Sequence, residues 1–250
     1  MEYAHLSSTV GIKTVSEEAK HGVFDIEGLY AGYGLTIGNA LRRALLSSLP
    51  GAAVTYIKIK NASHEFSTLP GVKEDLVQLT LNFKKLRFRM HTDEPQILLL
   101  ESKGEGVVKA GNIAPNSEVE IVNPDEVIAT LTTKDSELNI EITVERGLGY
   151  PAVEARKAEK LAIGLIGIDA FFSPVTKVNY AIENMRVGER TDYNRLRFEI
   201  ETDGTVSPSA ALHKTSNILK DHFDKIFGVE VKEFELEKTE PAKKRTRKKA

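Results

Sequence analysis

From residue 37 to residue 49 the apolar positions recur at helical spacing. Ile37, Ala40, Leu41, Ala44, Leu45 and Leu49 share one broad face at about 100° per residue. Thr36 offers a side-chain oxygen suited to a helix N-cap, and Pro50-Gly51 is a stop signal. The opposite face is not simply polar. Leu46 lies nearly opposite the apolar centre, with Asn39 beside it and Arg42 and Arg43 on its flanks. The pattern fits a helix with two partners: its own core, and a second surface that takes an apolar centre ringed by guanidinium donors. A core helix with one stray surface leucine fits it as well.

The second strong helix lies at the far end. Ser207 reads as its cap, Pro208 as its first residue and Gly228 as its end. Leu212, Thr215, Leu219, His222 or Phe223, and Ile226 recur at about 3.5 residues, the spacing of a seam against another helix, and Ile218 and Phe227 widen it. Between these helices the texture changes to short strands. Gly22 to Ile26, Val54 to Lys60, Leu86 to Met90, Ile97 to Glu101, Val119 to Val122, Glu126 to Thr132, Leu138 to Val144, Val175 to Met185 and Leu196 to Glu201 read as strands. One short helix spans Lys73 to Lys84, and Asp203-Gly204 reads as a hairpin-type turn. The chain reads as loose before Gly11, and Glu145 to Lys160, with Gly147, Gly149 and Pro151, reads as an irregular arm. Helices at both ends around a strand-rich middle suggest an α+β chain in which an inner unit is inserted into an outer one.

With 250 residues, 41% hydrophobic and 28% charged, the chain is long enough for one or two buried cores. It has no cysteine, which excludes disulfides, thiolate metal sites and a thiol nucleophile. No apolar run nears the roughly 20 residues of a membrane span, and the N-terminus lacks a secretory pattern, so the expected location is the cytoplasm. The net charge of −2 hides an asymmetry: Lys238 to Ala250 carries seven Lys or Arg and one Glu, whereas the remainder holds 27 basic and 35 acidic residues. The tail PAKKRTRKKA offers no large apolar side chain for a core and is expected to be disordered.

The chemistry-bearing residues do not assemble into a catalytic pattern. Gly32, Gly34 and Gly38 have the wrong spacing for a dinucleotide or phosphate loop, and a tight strand-to-helix turn accounts for them better. No two of the six histidines form a helical metal pair, and Ser47 and Ser48 lack a nucleophile elbow. His64 adjoins Glu65 without a nucleophile nearby. Asp169, inside the apolar stretch GLIGIDAFFSP, reads as a buried carboxylate that accepts backbone hydrogen bonds in a turn. No cofactor, metal or catalytic residue is expected.

Five stretches together are similar to the bacterial RNA polymerase α-subunit family: GYGLTIGNALRRALLSSLPGAAV, HEFSTLPGVKEDL, ERGLGYPA, IDAFFSPV and ENMRVGERTDYNRL, in the family's order and spacing from about Val23 to about Gly228. The resemblance implies a discontinuous α/β dimerisation domain, here 1–50 and 173–235, interrupted by a mostly β insert domain at 51–172, with a basic tail at 236–250. It implies a non-catalytic subunit that dimerises and carries the two large catalytic subunits of the polymerase. Contacts to the second-largest subunit would fall at Arg43, with Arg42 beside it, and at His64, Glu65 and Phe66; contacts to the largest at Lys84 and Ile168. The dimer interface would use Ile37, Leu41, Leu45, Leu212, Leu219, Phe223 and Ile226. Two departures stand out. Where the family usually reads EPLERG, this chain has EGLYAG at Glu27 to Gly32, and the family's usual C-terminal DNA-binding and activator-binding domain is not present before Ala250. Two other functions compete with the scaffold: a free-standing homodimer that binds nucleic acid through the basic tail, and an enzyme whose site the sequence does not reveal.

Overall fold

The computed structural model describes residues 6–60, 62, 66–151 and 164–230. The chain opens with β1 (Gly11–Glu17) and β2 (His21–Leu29), then α1 (Tyr33–Ser47) and β3 (Pro50–Ile59). A middle section holds α2 (Leu76–Lys84), β4 (Phe88–Met90), β5 (Gln96–Lys103), β6 (Gly106–Lys109), β7 (Val119–Ile121), β8 (Val127–Leu131), β9 (Glu137–Leu148) and β10 (Leu165–Gly167). The hairpin β11 (Val175–Val187) and β12 (Arg190–Thr202) leads into α3 (Pro208–Phe227). The fold is α+β, dominated by strands.

Two cores account for most of the buried apolar side chains. The first is built from both ends of the chain. A four-stranded antiparallel sheet, order β1-β2-β12-β11, pairs Phe24 with Phe198 and Ile26 with Leu196. These side chains and Ile200 pack with Leu41 and Leu45 of α1 and Ala211 and Leu212 of α3. The alternation of apolar and polar residues in β2 and β12 directs one face inward, as a one-sided antiparallel sheet requires. The second core lies wholly between Val54 and Ile168. It fills the six-stranded sheet, whose main order is β5-β9-β3-β4-β7 with β10 paired to β3, and is covered by Leu76, Leu79 and Phe83 of α2. Ala53, Ala170 and Phe172 form a small cluster where the chain passes between the cores.

Several local expectations need correction. Thr36 does not cap α1: the helix starts a turn earlier, after Gly32 in the left-handed region (φ 88°), and Asn194 Oδ1 accepts from the Gly32 N–H at 3.0 Å. Gly34 and Gly38 are helical, and a Cβ on Gly38 would sit 3.0 Å from the Tyr180 ring, so these glycines serve the close approach of α1 to β11 and β12. From Gly11 the chain forms β1, a strand that the sequence reading did not give, paired antiparallel to β2. The first part of the supposed arm, Glu145 to Leu148, continues β9 against β3, while residues 152–163 lie outside the described residues. Asp203-Gly204 leads from β12 into α3 and joins no hairpin. The EGLYAG departure also has a structural consequence. Gly28 has φ 73°, which proline, fixed near −65°, cannot adopt. The chain therefore turns here in a way the family's usual proline would forbid.

On the outer face of the four-stranded sheet, Arg197 donates two hydrogen bonds to Asp25, at 2.8 and 2.9 Å. That bidentate pairing holds the Asp25 carboxyl below its ordinary value of 3.8, against the opposing effect of burial. Because the folded value lies below the unfolded one, the pair stabilises the fold at neutral pH and that contribution is lost as pH falls through the folded value. Asp25→Asn is expected to lower the urea midpoint at pH 7 and to shrink the difference between midpoints at pH 7 and pH 3. An unchanged difference, read by circular dichroism, would assign the acid sensitivity to other groups.

Candidate functional site

The residues with contact chemistry sit on three outer surfaces. On α1, Arg42 and Arg43 are exposed, as are Asn39 and the edge of Leu46, while Leu41, Ala44 and Leu45 are buried beneath. The apolar face of α1 is thus covered by its own chain, and the face with the two arginines is exposed. Neither guanidinium is paired with a carboxylate among the described residues. Ser47 donates to the Arg43 carbonyl at 2.7 Å, within the last turn. A planar, permanently charged donor on a rigid helix, with no carboxylate partner among the described residues, is suited to carboxylates and carbonyls of another protein.

The second surface surrounds the C-terminal end of α2. Lys84 Nζ lies 3.8 Å from Asp169 and 5.1 Å from the centre of the Tyr150 ring. It donates to the Tyr150 hydroxyl at 3.3 Å, and that hydroxyl donates to Asp169 at 3.1 Å. Asp169 is therefore a half-exposed partner of Lys84 and Tyr150, contrary to its reading as a buried turn carboxylate. Ile168 is only 1% exposed, packed in the second core, so its side chain cannot touch another subunit. Burial alternates on past the end of β10: Ile168 is buried and Asp169 half-exposed. Phe66 is 77% exposed in the loop before α2, whereas His64 and Glu65 lie outside the described residues.

The third surface is the end of α3. Its cap is as the sequence predicts, Ser207 accepting from the Ala210 N–H at 3.3 Å. Its first half is anchored in the first core through Ala211, Leu212 and Thr215. Its second half is not: Phe223, Ile226 and Phe227 are 62%, 65% and 90% exposed. Leu212, at 5%, and Leu41 and Leu45 of α1, at 6% and 0%, are filled by their own chain. Their assignment to a dimer interface is corrected: they support such a surface from beneath. Ile37 and Leu219 are half-buried at the edge of the same core. Sequence periodicity could not separate the two halves of this seam, because both carry the same spacing.

One grouping was not legible in the sequence. Strand pairing sets His21 opposite Glu201, with Glu199 beside them, and the three donor groups lie within 4.8 Å of one another. Lys177 already holds Glu201 at 2.7 Å, and His21 holds Glu199 at 3.1 Å, lowering the Glu199 carboxyl below its ordinary value. The grouping is a ladder of hydrogen-bonded polar side chains across β2, β12 and β11. None of the described helices is long and apolar enough to cross a membrane.

The described residues thus form a β-rich unit between the two halves of an α/β unit, with exposed arginines on one helix and large exposed apolar side chains on the end of another. A family profile described as the RNA polymerase Rpb3/RpoA insert domain matches residues 57–173. Similar proteins, each named DNA-directed RNA polymerase subunit alpha, come from Moorella thermoacetica (49% identical, covering 84% of this chain and 67% of the relative), Symbiobacterium thermophilum (50%, covering 85% and 68%) and Carboxydothermus hydrogenoformans (46%, covering 94% and 76%). The chain belongs to the bacterial DNA-directed RNA polymerase α-subunit family.

Proposed function

We infer that this chain forms a homodimer and that the dimer is the platform on which the two large catalytic subunits of a bacterial RNA polymerase assemble. The observation that carries this reading is the outer half of α3. Phe223, Ile226 and Phe227 lie exposed on a helix whose base is fixed in the core, and contiguous exposed apolar surface of this kind marks a protein interface. Most soluble homo-oligomers close with two-fold symmetry, so the same strip would meet its own copy. The dimerisation domain is then 1–50 with 173–235, and the insert 51–172. Arg43, with Arg42, and the residues His64, Glu65 and Phe66 serve the second-largest subunit; Lys84 serves the largest. Chemistry on nucleotides belongs to the large subunits in this reading. Purification of the tagged chain from its native cells tests it: both large subunits in stoichiometric amount are expected, and nucleic acid without them would contradict it.

The basic tail adds a smaller effect. KKRTRKK, Lys243 to Lys249, has no aromatic residue to stack on bases, so it can contact only phosphates. Truncation after Glu237 is expected to leave dimerisation and assembly intact. It should weaken the binding of the assembled enzyme to promoter DNA at low salt and much less at moderate salt. Equal affinities at both salts would remove the tail from DNA binding, and a sequence-dependent loss would mean that it reads more than charge.

A further inference from the structure

We propose that the cleft between the two cores, where β4 and β9 meet the start of α3, binds a small phosphorylated organic molecule, its phosphate held by Arg89, His91, Arg146 and Lys214. The cleft has a volume of about 370 Å³. That lies within the roughly 300–1,000 Å³ of small-ligand sites, which favour the junctions between packed units. Arg89, His91 and Arg146 come from the side of the second core, and Lys214 comes from the helix anchored in the first. Four of the lining side chains are thus basic, and none is Asp or Glu. The chain as a whole carries a net charge of −2, so this concavity departs from the balance of the molecule. One sign of charge gathered in a concavity focuses its field on an incoming ion of the other sign.

The basic groups are unequally engaged, which decides what each can give to a ligand. Arg89 is a strut across the junction. Its Nε donates to the Thr205 carbonyl at 3.1 Å, its Nη2 to the Gly204 carbonyl at 3.4 Å and its Nη1 to Glu120 at 2.8 Å. Arg146 gives Nη1 to Asp93 at 2.6 Å. Both carboxylates are well exposed and neither lines the cleft, and exposed pairs of this kind contribute little, so a phosphate can share both guanidinium groups. The Lys214 ammonium and the His91 ring have no hydrogen-bond or ion-pair partner among the described residues. The backbone at the start of α3 adds little: Glu17 already accepts from the Ser209 N–H at 2.9 Å, and Ser207 from that of Ala210 at 3.3 Å. The site is therefore one of side chains, and guanidinium and ammonium donors together suit an anion with several oxygens. Met90 and Val206 add half-buried apolar surface beside them. A bare phosphate would leave that surface open, whereas an organic group would cover it. A bound phosphate would also tie Lys214 to Arg146 and so reinforce the Arg89 strut.

The test is titration calorimetry of the full chain at low salt with adenosine 5′-monophosphate, inorganic phosphate and adenosine. The monophosphate should bind saturably, inorganic phosphate more weakly, and adenosine not measurably. Lys214→Ala and Arg146→Ala, both at exposed positions, should each weaken the monophosphate about tenfold. Lys220→Ala, an exposed lysine of α3 outside the cleft, should leave binding unchanged. The chain truncated after Glu237 should bind as tightly as the full chain, which separates the cleft from the basic tail. The monophosphate should also raise the thermal midpoint of the wild-type chain, and raise that of Lys214→Ala less. Absence of saturable binding, equal affinity for adenosine, loss of binding with the tail, or wild-type affinity in both cleft variants would each overturn the site. A short single-stranded oligonucleotide that displaces the monophosphate at far lower concentration would assign the cleft to nucleic acid and overturn it as a small-molecule site.

Discussion

Phe223→Glu with Ile226→Glu is expected to convert the dimer into a folded monomer. Neither side chain is needed by its own chain: they are 62% and 65% exposed on a helix held by Leu212 and Thr215. Burying a large apolar side chain contributes about 1.5–3 kcal/mol. Two-fold symmetry doubles each loss, so two substitutions forfeit roughly 6–12 kcal/mol, before any cost of burying four carboxylates. A nanomolar dimer would then dissociate at any ordinary concentration, since each 1.4 kcal/mol is about tenfold in affinity. Sedimentation should show one species of half the mass with unchanged far-ultraviolet circular dichroism. Leu212→Glu, placed at a buried position, should instead unfold or aggregate the chain. A double variant that remains a folded dimer would rule out the end of α3 as the interface.

Arg43→Ala should block capture of the second-largest subunit while leaving fold and dimer intact. The guanidinium is exposed and unpaired with any carboxylate among the described residues, and alanine is a better helix former, so stability should hold or rise slightly. A central interface arginine typically costs about 2 kcal/mol or more when truncated. That corresponds to a loss of about 30-fold in affinity, sufficient to leave assembly incomplete at micromolar concentration. Arg43→Lys should restore only part of the affinity, because the ammonium lacks the planar fork. Wild-type assembly by Arg43→Ala would remove this residue from the interface.

The sequence carried the elements better than it carried their exposure. The apolar face of α1 and the Ser207–Pro208 start of α3 were legible because periodicity and capping are local. The start of α1 was misread because Thr36 is a good cap by type, whereas the choice of Gly32 depends on Asn194, distant in sequence and supplied by β12. Ile168 and Asp169 illustrate the limit of motif transfer. A motif marks the segment, but the alternation of an extended chain decides which neighbour faces outward. Leu212 and Phe223 share a seam by spacing, yet the core extends under only the first. Tyr150 meets Lys84 on one side and Phe171 on the other, contacts between three separate segments that no local pattern carries. Tyr30, part of the EGLYAG departure, likewise meets the Arg190 guanidinium at 4.8 Å, a contact formed only when the β11–β12 hairpin folds back.

The most direct measurement is the mass of the complex formed when the purified chain is mixed with both purified large subunits. Native mass spectrometry should find two copies of this chain with one of each large subunit. A complex containing a single copy, or large subunits that associate without the chain, would contradict its role as the dimeric platform of assembly.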